Sequence, residues 1–317
     1  MGLAHAQQVP TLRARTNLVV VPTLVETKSG EPVFNLTAKD FSVTDNGVEQ
    51  KIQLDTETYS QPISIVVLLQ VGRSAVREFY KYQGLPTMVE ALAGNTQHRV
   101  AVVAFDSRPR MLQDFTSNPN AIQQAIYGIQ PGDGGAAILD SVWYAVDMLN
   151  DEPPQNQRVI VLLSETRDSG SVTPIKDVLR KIGKSDVIVY SLAFSPGRED
   201  AHQFSPPAGN SADLMAPLMM AIAALKKNTA AAIPHMTGGQ YLRFNSGKQL
   251  DRQILMLANQ VHNRYMITFR PSDLTPGMHR LDVKLRQPLE VKVLARTSYW
   301  ATSPAVVEGV TPAPGSR

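Results

Sequence analysis

Residues 65–76 read I-V-V-L-L-Q-V-G-R-S-A-V. An apolar run ends in the amide Gln70, turns through Gly72 and Arg73, and offers a hydroxyl at Ser74, where helical spacing begins. A strand feeding a turn and then a helix is where open α/β sheets place their ligands. A carboxylate at the Gln70 position could hold a metal there; a neutral amide supplies no charge. The other oxygen-bearing candidates are Asp106, Asp133 in the loop P-G-D-G-G (131–135), Asp140, and Glu165 in S-E-T-R-D. Glu165 with Asp106 is the one carboxylate pair considered for hydrolysis, but no nucleophile–base pair accompanies it. Asp140 sits early in a helix, where a carboxylate complements the dipole, and loop carboxylates such as Asp106 and Asp133 are ordinarily solvated. The histidines, at 5, 98, 202, 235, 262 and 279, show no ligand spacing. S-E-T-R-D-S-G-S forms no G-x-S-x-G elbow, and D-G-G lacks the G-K-[ST] of a phosphate loop. The chain has no cysteine, which excludes thiolate metal sites and a Cys nucleophile. No cofactor is expected.

Stepping outward, the elements that carry these residues change character twice. Residues 15–60 are rich in β-branched residues and turn signals, with Asn46-Gly47 as a hairpin turn. About four strands are expected there, among them N-L-V-V-V-P-T-L-V-E, Val33–Leu36, F-S-V-T-D and V-E-Q-K-I-Q-L. From 61 to 263, apolar strands alternate with helical patterns: Ile63–Leu69, helix Ser74–Ala93, strand 99–106 with a hairpin partner at 109–115, and helix Asn118–Ile126. Helix 136–150, strand 158–165, helix 173–183 and strand 186–194 follow. A loop over 195–212, helix 213–232, strand 240–244 and helix 247–263 complete the unit. This alternation is that of a doubly wound α/β sheet. Residues 264–300 return to alternating strands, and 301–317 resemble a tail without a core. Neither flanking β segment can bury a face alone. The economical arrangement is one seven-stranded β-sandwich built from both flanks, with the α/β unit inserted between them. Two separate β appendages are the alternative.

Composition narrows the class. The 317 residues are 43% hydrophobic and 19% charged, with a formal net charge of +3. Lys and Arg form no basic stripe of the kind that binds nucleic acid. No stretch reaches the apolar length of a membrane span. Ala4-His5-Ala6 fits a secretory cleavage pattern, so residues 1–14 read as the remnant of a leader and the location as extracytoplasmic, periplasmic or secreted.

The order and spacing of several stretches resemble the von Willebrand factor A fold, and more closely the A-domain-related proteins of acidobacteria. These stretches are V-V-V-P-T-L-V-E-T-K-S-G-E-P-V-F-N-L-T-A-K-D-F-S-V-T-D-N-G, I-V-V-L-L, D-G-G-A-A-I-L-D, V-I-V-L-L-S-E-T, T-G-G-Q-Y and L-A-R-T-S-Y-W. The resemblance implies a Rossmann-like A domain with a metal-ion-dependent adhesion site at the top of its sheet. That site takes Asp-x-Ser-x-Ser after the first strand, a Thr in the glycine-rich loop and an Asp after the fourth strand. Magnesium needs such hard oxygen ligands. Carried onto this chain, the Asp falls on Gln70, the first Ser on Gly72, the second on Ser74, the Thr on Ala136 and the last Asp on Glu165. Only Ser74 and Glu165 keep ligand chemistry. Arg73 and Arg167 add positive charge, either as solvated loop residues or with one guanidinium in the metal's place beside Glu165 or Asp106.

The expectation is therefore a non-catalytic protein-binding or scaffold protein of the bacterial envelope or exterior, working without metal and with an unidentified protein partner. Its rim is assigned to Gln70, Gly72, Arg73, Ser74, Gly134, Gly135, Ala136, Glu165, Thr166 and Arg167. The alternatives are a magnesium-dependent adhesion protein with an atypical ligand set, and a hydrolase using Glu165 and Asp106.

Overall fold

The computed structural model describes residues 18–55, 61–194 and 215–302. The leader-like residues 1–14, most of the tail, and the loop expected over 195–212 lie outside them. The first strands are β1 (Val19–Thr27), β2 (Phe41–Asp45), β3 (Val48–Glu49) and β4 (Ile52–Asp55). Asn46 and Gly47 both take positive φ, 48° and 86°, which matches the right-handed twist of a two-residue hairpin. Two expectations change here. Val33–Leu36 is no strand, because the Tyr265 hydroxyl donates to the Val33 carbonyl and accepts the Leu36 N–H, taking the place of a neighbouring strand. V-E-Q-K-I-Q-L is two strands broken at Gln50, whose buried amide bonds Val48 O and Ser272 and turns the chain into a second sheet.

The α/β unit runs β5 (Ile63–Gln70), a 3₁₀ segment Arg73–Gly84, α1 (Leu85–Ala93), β6 (His98–Phe105), β7 (Pro109–Thr116), α2 (Pro119–Tyr127) and α3 (Ile138–Asn150). It continues through β8 (Gln157–Ser164), α4 (Ile175–Lys184), β9 (Ile188–Phe194), α5 (Ala216–Lys227), α6 (Thr229–Thr237), β10 (Tyr241–Phe244) and α7 (Gly247–His262). The sheet order is β10-β9-β8-β5-β6-β7, parallel except for the β7 hairpin. β5 lies between two parallel neighbours and is buried throughout, hence its unbroken apolar run. Ile63, Ile65, Val67 and Leu69 enter one core with α1 and α7, while Val66 and Leu68 enter the other with α3, α4 and α6. Each such side chain contributes roughly 1.5–3 kcal/mol by burial.

Two helices differ from expectation. The stretch Ser74–Ala93 is not one α-helix: Pro86 has no N–H for the Tyr82 carbonyl, which takes the Leu85 N–H in a 3₁₀-type bond instead. Helix 213–232 is two helices, because Asn228 ends α5 in an extended conformation and caps α6 by accepting the Ala231 N–H.

The closing strands are β11 (Tyr265–Phe269), β12 (Gly277–Leu285), β13 (Val291–Ala295) and β14 (Ser298–Ala301). They join β1–β4 in two sheets, ordered β13-β1-β11-β4 and β14-β12-β2-β3. Each sheet draws strands from both flanks, and both bury side chains in one cluster that includes Val21, Phe41, Val43, Ile267, Phe269, Leu281 and Tyr299. The flanks therefore form one sandwich, of eight strands rather than seven.

The sandwich packs where β9 begins. The Gly183 position abuts the Trp300 backbone, and Gly238 abuts Arg296 N and Pro22 O. Buried Arg264 donates to the Tyr190 hydroxyl and to Gly238 O, and Arg296 to Gly183 O. The opposite edge, where β5, β6 and β8 end, carries the candidate site.

Candidate functional site

Three loops meet at that edge. Gln70, the last residue of β5, is fully buried. Its amide oxygen accepts the Glu165 N–H at 2.8 Å, and its amide nitrogen donates to Glu165 Oε1 at 3.2 Å and to Gly72 O at 3.3 Å. Ser74 Oγ donates to the same Oε1 at 2.6 Å, with the Ser74 N–H at 3.4 Å. Arg73 Nε stands 3.8 Å from Glu165 Oε2. Glu165 itself is 8% exposed, so its charge is met by an amide, a hydroxyl, an N–H and a guanidinium, all from the β5 turn. A buried carboxylate requires such pairing. Of the two readings of the arginines, Arg73 is the guanidinium beside Glu165, while Arg167 is exposed.

The glycine-rich loop rests directly on this turn. Arg73 N–H donates to Asp133 O at 3.0 Å and Gly132 N–H to Val71 O at 2.9 Å. A Cβ on Gly72 would press into Gly135 O and stand 2.6 Å from Asp133 O, so the position has no space for a serine. Arg73 takes a left-handed φ of 54°, unusual for a residue with a side chain. Gly135 is wedged against Ser107, whereas Gly134 faces open space.

The loop carboxylates are engaged rather than merely solvated. Asp133 Oδ1 accepts the Ser107 and Gly135 N–H groups at 3.0 and 2.7 Å. Hydrogen bonds, that of Ser107 first, hold its carboxyl below the usual range. Asp106 accepts the Arg108 N–H at 3.2 Å and the Asp133 N–H at 3.2 Å. Asp–x–N–H turns of this kind (106–108 and 133–135) were the available sequence signal. Asp106 is thus bonded to the Arg108 and Asp133 N–H groups and Glu165 to the β5 turn, and among the described residues no hydrogen bond joins the two carboxyls.

The third loop straps the start of α3. Ala136 exchanges both backbone bonds with Ser169, at 2.8 and 2.9 Å. Asp168 Oδ1 accepts the Leu139 N–H, and Asp140 accepts the Val172 and Thr173 N–H groups. Asp140 thus has the structural part expected of it. Thr166 is buried, its carbonyl accepting the Ala230 N–H from α6. Of the ten rim residues, Arg73, Gly134 and Arg167 are exposed and Ser74 is partly so; Gln70, Gly72, Gly135, Ala136, Glu165 and Thr166 are buried.

Magnesium asks for converging hard oxygens and open coordination positions. This donor set does not fit it: the single carboxylate, the hydroxyl and the amide are hydrogen-bonded to one another, with an arginine beside them. Gly72 and Ala136 bring no oxygen from a side chain. Among the described residues no three His, Cys, Asp or Glu side chains gather as a metal group.

Residues 67–168 match the family model described as von Willebrand factor type A domain, and the α/β unit is a domain of that type. Similar solved structures include a von Willebrand factor type A protein from Catenulispora acidiphila, at 10% identity over 93% of this chain and 76% of that one, with a TM-score of 0.47. An aerotolerance-related membrane protein from Bacteroides fragilis NCTC 9343 is 15% identical over 62% of this chain and 98% of its own, with a TM-score of 0.43. BatB from Bacteroides thetaiotaomicron is 12% identical over 63% and 98%, with a TM-score of 0.44. No curated protein sequence matches the chain.

Proposed function

We propose that this chain is a non-catalytic protein-interaction scaffold whose A-domain rim engages a protein partner without a bridging metal ion. Domains of this type mediate protein–protein interactions, which sets the class. The observation that carries the metal-free reading is the closed Gln70–Ser74–Glu165 network: Glu165 Oε1 accepts three donors where a cation would need it. Arg73, Ser74, Gly134 and Arg167 form the contact surface, and the six buried rim residues hold it in shape. The network engages Glu165, the carboxylate that the hydrolase reading needs, and so argues against that reading. Among the described residues no helix is long and apolar enough to cross a membrane. The extracytoplasmic placement rests on Ala4-His5-Ala6, which lies outside the described residues.

The test is capture of partners from the native envelope by immobilised protein, with and without EDTA. Capture is expected to persist in EDTA and to fall in Gly134→Trp, which fills open space, and in Arg73→Gln. EDTA-sensitive capture, or capture indifferent to both substitutions, contradicts the reading.

A further inference from the structure

The chain has two tryptophans, and a basic side chain of the same helix, α4, lies over each ring. Lys181 Nζ sits 3.7 Å above the Trp143 ring and pairs with Asp147, while the Arg180 guanidinium lies 5.2 Å from the Trp300 ring centroid. Between α3 and α4 runs an open groove of about 510 Å³ lined by Trp143, Thr173, Asp177, Arg180, Lys181 and Lys184. Positions 177, 180, 181 and 184 follow the three- and four-residue spacing that puts side chains on one helix face. That face carries three cations and one carboxylate. The Asp177–Arg180 pair, at 3.1 Å, is about 40% exposed on both sides and so is held weakly. Lys184 makes no ion pair among the described residues. Tryptophan and arginine are the side chains that most often dominate protein interfaces. α4 has ten residues, a length of about 15 Å, which an extended chain of about five residues spans.

We propose that the α3–α4 groove is a second docking surface, one that takes an extended acidic segment of a protein partner. Carboxylates of the segment meet Arg180 and Lys184, and Trp143, with Lys181 across its ring, supplies the apolar wall. Charge complementarity selects this occupant: the groove face is net cationic, and its two arginine and lysine ends at 180 and 184 reach solvent. Asp177, Asp147 and Asp140 are the acidic groups on the facing elements, and all three are engaged, by Arg180, by Lys181 and by the Val172 and Thr173 N–H groups. The surface is independent of the rim and stands whether or not the rim reading does.

Both tryptophans flank α4, so intrinsic fluorescence reports occupancy. The probe is a blocked six-residue peptide of five glutamates and one phenylalanine, compared with its counterpart in which glutamine replaces every glutamate. The acidic peptide is expected to give a saturable fluorescence change that weakens as salt rises from about 0.05 to about 0.5 M. Arg180→Gln with Lys184→Gln is expected to weaken binding about tenfold or more, and Lys184→Gln alone, at an exposed side chain, measurably. Gly134→Trp adds a third tryptophan at the rim, so its binding is read by calorimetry and is expected to equal that of the unaltered protein. No saturable response to the acidic peptide up to millimolar concentration, an equal response to the glutamine peptide, or unchanged affinity in both groove variants overturns the proposal.

Discussion

Gly72 stands where the adhesion-site pattern has a serine, and its surroundings leave no room for one. The backbone carbonyls of Asp133 and Gly135 occupy that space. Gly72→Ser is therefore expected to destabilise the protein by about 1–3 kcal/mol through overpacking, read as a lower denaturant midpoint; an unchanged midpoint contradicts the packing of the glycine loop on the β5 turn. That Gln70 carries no charge and Gly72 and Ala136 no side-chain oxygen was legible from residue type alone. The bonding of Gln70 to Glu165 was not, because the two lie 95 positions apart and their pairing depends on two parallel strands ending side by side.

At the scale of elements, periodicity carried most of the reading. Strands β5, β6, β8 and β9 and helices α2, α3, α4 and α7 fall close to their expected places. The errors have physical reasons. Over Arg73–Gly84 the apolar residues Val76, Phe79 and Tyr80 stand at i, i+3 and i+4, which fits an α-helix and shares its i+3 step with a 3₁₀ segment, and only Pro86 hinted at the difference. The stretch around α5 and α6 is apolar enough to read as continuous, and the capping role of Asn228 emerges only from its backbone. Asn228→Ala is expected to cost about 1 kcal/mol by removing the α6 cap. Denaturant unfolding checks this, and a loss near zero would mean the two helices are set by packing alone.

The whole molecule is closed by contacts between its distant flanks. Asp45 of β2 meets His279 of β12 at 2.9 Å and the Tyr299 hydroxyl of β14 at 2.7 Å, all buried, and the other His279 nitrogen faces Thr275 O at 2.7 Å. Burial disfavours charge on His279, but the hydrogen bonds to Asp45 and Thr275 and the nearby Asp45 and Asp273 charges outweigh it and raise its pKa. The folded state then holds more protons than the unfolded chain from pH 6.5, the ordinary histidine value, up to the raised one. This group's stabilisation is complete below that window and lost as pH rises through it. His235 acts the other way: burial lowers its pKa, so its effect on stability is lost as pH falls below 6.5. Melting temperature against pH is expected to fall on the alkaline side less steeply in His279→Gln than in the unaltered protein, with the acid side retained. Identical alkaline slopes would remove His279 from the account. The flank-to-flank sandwich was legible because neither β segment could bury a face alone, whereas the buried His279 among alternating strand residues gave no sign of its partners.

The most direct measurement of the metal-free rim is a calorimetric titration of the purified, EDTA-treated protein with magnesium. The hydrogen-bonded Gln70–Ser74–Glu165 network predicts no saturable heat and no shift in melting temperature at millimolar ion. Saturable binding at micromolar magnesium, abolished by Glu165→Gln or Ser74→Ala, would contradict it.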